Sequence, residues 1–167
     1  MNIFYLDSNP IKSAELHCDK HVVKMIIEYA QLMSTAHRVL DGDLYEDRTA
    51  NNHRIKRWRL SDSNMENVVY KASHINHPSA IWTRASDSNY QFVYDMFVAL
   101  CNEYTHRYGR VHLTEEKLKD LLQHLPNNIA SADFVEPPQA MPDDVKTSNA
   151  VDAYQNYYKV YKKDFAR

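Results

Sequence analysis

The longest helical pattern in the chain is HCDKHVVKMIIEYAQLMSTAHRVL, residues 17–40. A helix turns about 100° per residue, so His17, His21, Lys24 and Glu28 fall in one narrow stripe along its side. The neighbouring arc is apolar and carries Val22, Met25, Ile26, Tyr29, Met33, Ala36 and Leu40. This pattern predicts a long helix whose apolar arc is buried in a core.

The polar stripe beside that arc is the best candidate in the chain for chemistry, because its charged groups are costly to bury and folding does not need them. His21 and Glu28 lie two helical turns apart and face the same way, which suits general acid–base catalysis. His17 and His21 have a spacing that can hold a metal ion, although the zinc-peptidase motif is absent. The alternative interpretation is an ordinary solvated helix face.

Composition limits the possible classes of protein. The chain has 167 residues, the usual size of one domain, so we expect a single helical domain over 1–167. No apolar run reaches the roughly 18 residues that span a bilayer, so we expect no membrane partner. Cys18 and Cys101 are too few for a disulfide framework, which favours the cytoplasm. The net charge of −2 excludes a uniformly basic nucleic-acid binder, but not a local basic patch.

Helical signals run through most of the chain and predict an all-α fold, a compact single-domain helical bundle with long irregular loops. Asn9-Pro10 begins a helical region that extends to residue 40, as one helix or as two segments bent near Cys18, and Gly42 ends it. Further helices are predicted at Ser63–Ser73, from Asp87 or Ser88 to Gly109, from Thr114 to about His124, and at Ser148–Lys163. Residues 41–60 and 127–144 are predicted to be irregular.

A concentration of basic residues lies at the end of the first predicted loop. It comprises Arg54, Lys56, Arg57, Trp58 and Arg59, and Arg48–Arg59 contains no acidic residue. Cationic groups neutralise phosphates and an indole can stack on a base, so this segment is a candidate nucleic-acid contact. A solvated loop anchored by its tryptophan would have the same composition. The last predicted helix carries tyrosines at helical spacing, which is more typical of core packing than of base stacking. Further candidate phosphate contacts at this end of the chain are Lys159, Lys162 and Lys163.

Several of these landmarks occur in the same order in a known family. The frame Ile26–Leu32 contains Glu28, seven residues after His21, and the block Asn76-His77-Pro78 is followed by Arg84. A helix ends at Arg107-Tyr108-Gly109, and the chain closes with Tyr157-Tyr158-Lys159. In these features the chain resembles, at a distance, the pyrimidine-dimer DNA glycosylases of the bacteriophage endonuclease V type, with bacterial relatives.

The resemblance implies an enzyme that acts on damaged or modified pyrimidines in double-stranded DNA, as a monomer and without a cofactor. In the family the chain's own N-terminal amine attacks the deoxyribose and a glutamate stabilises the sugar, so the catalytic residues here would be Met1, Glu28 and His21. Side chains around them would bind substrate: His17, Lys24, Arg38, His77, Arg84 and Asn89. Asn2 is larger than the residue that usually follows a removed methionine, and Ile27 and Gln31 replace family arginines.

Two other functions remain open at this stage. One is a base-modifying or metal-dependent enzyme on a related scaffold, which would use the histidines at 17, 21 and 77 together with Glu28. The other is a non-catalytic nucleic-acid-binding protein whose histidine stripe is only surface.

Overall fold

The computed structural model describes residues 1–166. In this part of the chain 54% of the residues are helical and there is one two-stranded antiparallel sheet. The prediction of an all-α bundle is therefore wrong. The helices are α1 (Pro10–Glu15), α2 (Asp19–Asp41), α3 (Ser63–Val68), α4 (Pro78–Ala85), α5 (Asp87–Tyr108), α6 (Leu113–Leu122) and α7 (Ala150–Tyr161), and the strands are β1 (Asp43–Arg48) and β2 (Arg54–Arg59).

The long helix α2 lies at the centre of the structure. It contacts α4, α5 and α6, while α1 packs on α5. The apolar arc of α2 is buried as predicted, because it meets the aromatic and aliphatic residues of α5. The core between these two helices includes Met25, Tyr29, Met33, Tyr90, Met96, Phe97 and Leu100.

The region from residue 10 to 41 consists of two helices. α1 ends at Glu15, and α2 begins after Cys18, which has an extended backbone. His17 therefore lies in the bend between the helices and does not belong to the stripe on α2. The sequence left open whether this region forms one helix or two segments bent near Cys18, and the structure has two.

The hairpin occupies residues that the sequence predicted to be irregular. Asp43 pairs with Arg59 and Glu46 pairs with Lys56 across the two strands. Alternation along β2 is hard to recognise because four of its six residues are basic, so neither face is marked as apolar. Two basic residues of β2, Lys56 and Arg59, thus lie opposite acidic residues of β1.

Gly42 joins α2 to this hairpin at a point of close approach. A Cβ atom there would lie 2.5 Å from the Arg38 carbonyl oxygen and 2.9 Å from the Trp58 Cβ. Both neighbours are held by backbone, so they cannot move aside cheaply. Glycine is favoured at position 109 for a different reason, because this residue ends α5 in the left-handed conformation with a φ of 66°.

The segment after α6 crosses several elements without regular structure. The Trp82 indole N–H donates to the Val135 carbonyl, and the Tyr154 hydroxyl donates to the Pro138 carbonyl. The Asn2 side-chain amide donates to the Ala140 carbonyl. The segment therefore ties α4, α7 and the first residues of the chain together, and a short 3-10 turn at Asp143–Val145 follows it.

We expect Gly42→Ala to lower the free energy of unfolding by about 1–3 kcal/mol, because the added methyl overpacks fixed backbone. Gly109→Ala is the matched control, since no atom lies within 4 Å of its Cβ position. It should cost only the smaller penalty of a left-handed residue, about 1 kcal/mol. Urea unfolding of the two variants measures the difference. Equal losses would contradict the assigned close approach.

Candidate active site

The start of the chain is buried over residues 3–6 and is anchored from three directions. The Phe4 amide N–H donates to the Tyr29 hydroxyl of α2. The Ser13 hydroxyl of α1 donates to the Phe4 carbonyl, and the Gln155 side-chain amide of α7 donates to the Leu6 carbonyl. These bonds hold an irregular segment in one position, with its apolar side chains in the core.

His17 connects α1, α2 and this segment. One ring nitrogen, Nδ1, is 2.6 Å from the Ser13 carbonyl, which can only accept, so Nδ1 carries the proton. The other, Nε2, then accepts from the Tyr29 hydroxyl at 2.6 Å. Burial lowers the pKa of His17 to about 4, and the ring is neutral at neutral pH.

This anchoring places the N-terminal amine beside a carboxylate. The Met1 nitrogen is 3.6 Å from Glu28 Oε2, and the Lys24 Nζ is 3.2 Å from Glu28 Oε1. Lys24 comes one turn before Glu28 on α2, and 63% of its side chain is exposed, whereas the side chains of Met1 and Glu28 are 4% and 16% exposed. One carboxylate thus contacts two amines from different parts of the chain.

A cavity of about 160 Å³ opens at this point. Its lining is mainly polar and consists of Met1, Asn2, Phe4, His21, Lys24, Met25, Glu28, Tyr157 and Lys162. Larger cavities of about 450 and 490 Å³ lie elsewhere, one beside His37 and Asp41 and one beside Phe92 and Phe134. The small cavity is the candidate active site, because it alone among these three is lined by an amine next to a carboxylate.

His21 forms an inner wall of the cavity. Its ring is stacked on Phe4 with centroids 4.2 Å apart, and Nδ1 is hydrogen-bonded to the Tyr158 hydroxyl. Burial lowers the pKa of His21 to about 3, helped by His17, Lys162 and Lys24. With this pKa the ring is neutral at neutral pH and lacks the second ring proton of a general acid, so a partnership with Glu28 would use the neutral imidazole.

Two predicted residues lie on α4. His77 caps this helix by accepting from the Ser79 N–H, and its pKa is lowered by burial and then by the positive charge of the N-terminal amine. His77 is therefore near the site. Arg84 lies two turns further along the same face, and its Nη1 is buried with no hydrogen-bond partner among residues 1–166.

Three predicted substrate-binding residues have structural roles instead. His17 is buried with both ring nitrogens occupied. Arg38 is buried, donates to the carbonyls of Tyr70, Trp58, Glu66 and Val69, and pairs with the Glu66 carboxylate. Asn89 uses its amide within the fold, donating to the Trp82 carbonyl and accepting from the Val135 N–H. The sequence suggested that these three polar residues bind substrate, because residue type alone does not show whether a polar side chain has a buried hydrogen-bond partner.

The basic residues predicted to contact nucleic acid lie on β2, and none of them lines the cavity. Arg54 is 3.4 Å from Glu46, Lys56 pairs across the hairpin with Glu46, and Arg59 lies over the Tyr45 ring. Arg57 donates to the Ala72 carbonyl and Trp58 is half-buried. Lys159 is exposed on α7, outside the cavity lining.

The sequence did not predict Asn2 or Tyr157 as site residues, and it predicted Lys162 only as a phosphate contact away from Glu28. The tyrosine spacing of α7 predicted core packing, and nothing local indicated that the end of this helix meets the start of the chain. Phe165 extends the wall, with its ring 5.0 Å from that of His21. Only the packing of the two chain ends against α2 brings these residues together.

Within residues 1–166 no group of three or more His, Cys, Asp or Glu side chains is arranged to hold a metal ion. None of the described helices has the length and apolar character needed to cross a bilayer. Comparison with protein-family models, with curated proteins and with solved structures found no match.

The buried histidines make stability depend on pH. Because the pKa of His17 in the folded protein is about 4, below the ordinary value near 6.5, acid favours the unfolded chain. The free energy of unfolding should be constant above about pH 7. It should then fall between about pH 6.5 and 4, with His17 contributing up to about 1.4 kcal/mol per pH unit.

Urea unfolding between pH 4.5 and 8 measures this dependence. His17→Gln should be less stable at neutral pH but flatter in its response to acid. The control is His106→Gln, because His106 is exposed on α5, and it should keep the wild-type slope. A His17 variant with an unchanged slope would contradict the neutral buried imidazole.

Proposed function

We propose that this protein is a DNA N-glycosylase and abasic-site lyase that acts on damaged or modified pyrimidines in double-stranded DNA. The observation that carries the proposal is the N-terminal amine 3.6 Å from the Glu28 carboxylate, in a cavity open to solvent. A free amine is a nucleophile toward C1′ of deoxyribose, and an adjacent carboxylate stabilises positive charge that develops on the sugar. The sequence resemblance to pyrimidine-dimer glycosylases names the same two groups.

The α-amine is the nucleophile of the proposed reaction, because it lies in the cavity beside the carboxylate and is a primary amine that can form an imine. In the glycosylase step the amine nitrogen forms a bond to C1′. The bond from C1′ to the base breaks, and the base leaves with the electron pair and takes up a proton.

Opening of the sugar ring then gives a protonated imine between the Met1 nitrogen and C1′. Loss of a proton from C2′ to a base, the role we assign to Glu28, forms the C2′=C3′ double bond. The C3′–O bond breaks and the phosphate leaves with its electron pair. Water finally hydrolyses the imine and releases the amine. His21 stays neutral through these steps and supports the cavity wall.

The hairpin is a second part of the proposed DNA contact. Arg48, Arg54 and Lys56 are exposed on it, and Glu46 is the acidic residue that opposes two of them. Exposed cations of this kind neutralise phosphates with little sequence preference. The carboxylate of Glu46 reduces this attraction, so the hairpin is a weak contact that can be changed in either direction.

The covalent intermediate tests the proposed chemistry. Borohydride should trap the wild-type protein on a duplex that contains an abasic site, because it reduces the imine to a stable amine. Glu28→Gln should abolish trapping and strand cleavage, and Glu116→Gln, an exposed carboxylate on α6, should leave both unchanged. Peptide mapping should place the adduct on Met1, and intact mass should show that Met1 is retained.

Extension of the N-terminus provides an independent test. Each added residue moves the amine by up to about 3.6 Å, so a retained tag should abolish trapping without unfolding the protein. Absence of trapping by the wild type on abasic, dimer-containing and oxidised-pyrimidine duplexes would contradict the proposal. So would an adduct formed equally well by the extended protein.

The contribution of the hairpin is measured by duplex binding over a range of salt concentrations. Arg54→Ala should weaken binding and reduce the slope of log K against log salt by up to about 0.9, the effect of one lost phosphate contact. Glu46→Gln should strengthen binding, because it removes the opposing charge. Identical affinities for both variants and the wild type would exclude the hairpin from the interface.

A further inference from the structure

Two lysines from distant parts of the chain line the candidate active site. Lys24 lies on α2, and Lys162 follows the last turn of α7. The Lys24 Nζ is 3.2 Å from Glu28, while the Lys162 Nζ lies 5.2 Å from the centre of the Tyr157 ring. Both charges also act on His21, so both lie near the same side of the cavity.

The cavity carries more positive than negative charge. Lys24 and Lys162 bring two cationic groups to its lining, and Glu28 is the only acidic residue there among those described, so the balance is positive even with a free Met1 amine. Like charges held close together around a small opening repel one another unless an anion joins them. The unbalanced charge therefore favours an anionic ligand, and a phosphate accepts hydrogen bonds from several amines at once.

The size of the cavity limits what can enter it. Its volume of about 160 Å³ is well below the range of about 300–1,000 Å³ that is typical of sites for whole small molecules. Phe4, His21 and Tyr157 fill the space behind it with packed rings. A sugar with an adjoining phosphate matches this volume and charge better than a base step does.

We propose that Lys24 and Lys162 bind the phosphate on the 3′ side of the reacting deoxyribose and stabilise it as the leaving group of strand cleavage. This inference rests on the proposed function. Lys24 touches Glu28, the group placed to take the C2′ proton, and the bond that then breaks is on the adjacent C3′ atom. Cations on this side of Glu28 therefore lie next to the departing oxygen.

The two lysines act in one step of the proposed reaction, the cleavage of the C3′–O bond. When the C2′ proton moves to the base, the C3′–O electron pair passes to the phosphate, which leaves as a monoester with one more negative charge. Two ammonium groups stabilise that added charge and hold the phosphate in place. Formation of the imine changes no charge on the phosphate, so it does not need them.

Kinetics of the wild type, Lys24→Met and Lys162→Met on an abasic duplex separate the two steps. Each variant should still be trapped by borohydride, whereas its strand-cleavage rate at saturating DNA should fall by about tenfold or more. The imine should therefore accumulate. Lys24→Arg should recover part of the rate, and Lys117→Met, an exposed lysine on α6, should match the wild type. Equal loss of trapping and cleavage, or no loss of either, would overturn the proposal.

A binding measurement tests the phosphate site without chemistry. The probe is a duplex with a tetrahydrofuran abasic analogue, which has no carbonyl and forms no imine. A neutral methylphosphonate on its 3′ side should weaken wild-type binding and leave the double Lys24→Met, Lys162→Met variant unaffected, while a 5′ methylphosphonate should weaken both equally. The assignment would be overturned if only the 5′ methylphosphonate weakened binding by the wild type, or if the wild type did not bind the probe.

The two experiments distinguish the proposals. A wild type that shows no trapping, yet loses affinity for the probe with the 3′ methylphosphonate, would refute the amine chemistry and retain the phosphate site. If the wild type is trapped normally but neither lysine substitution changes cleavage or binding, the amine chemistry is retained and the phosphate site is refuted.

Discussion

The arrangement of this protein depends on the hydrogen-bond chain from Ser13 through His17 and Tyr29 to the Phe4 amide. Each group in it is buried, and the carbonyl of Ser13 sets the direction of every proton that follows. An unpaired member would cost the full penalty of a buried polar group, so the chain of bonds tolerates one geometry. Because Tyr29 is next to Glu28 and Phe4 is three residues from Met1, that geometry also brings the amine to the carboxylate.

The same arrangement explains the electrostatics of the cavity. Aromatic rings of Phe4, Tyr158 and Phe165 surround His21 and remove water from it, which keeps the imidazole neutral beside two lysines. Charge in the site is therefore carried by Glu28 and the amines around it. A desolvated carboxylate between two amines is a costly arrangement that folding alone does not require, and it is consistent with a role in binding or chemistry.

The errors of sequence reasoning share one cause. His17, Arg38 and Asn89 are polar residues at positions where a site was expected, and each side chain is buried and hydrogen-bonded within the fold. Arg38 alone holds the connection between α2, the hairpin and α3 through carbonyls that no pattern of residue types reveals. The basic residues of β2 likewise showed no partner in the sequence. The acidic residues opposite two of them lie on β1, before the hairpin turn.

Most of the helices follow from the sequence alone, because apolar spacing, Asn9-Pro10 and the glycines at 42 and 109 are local signals that act within a few residues. The helix α4 was not predicted, and α3 ends at Val68, before the predicted end at Ser73. The sequence also determined that His21, Lys24 and Glu28 share a side of α2, since helical geometry alone requires this. The tertiary structure decided which groups join them. Met1 and Lys162 are at opposite ends of the chain, and the burial of Phe4 and Tyr154 in one core is what brings the two ends together.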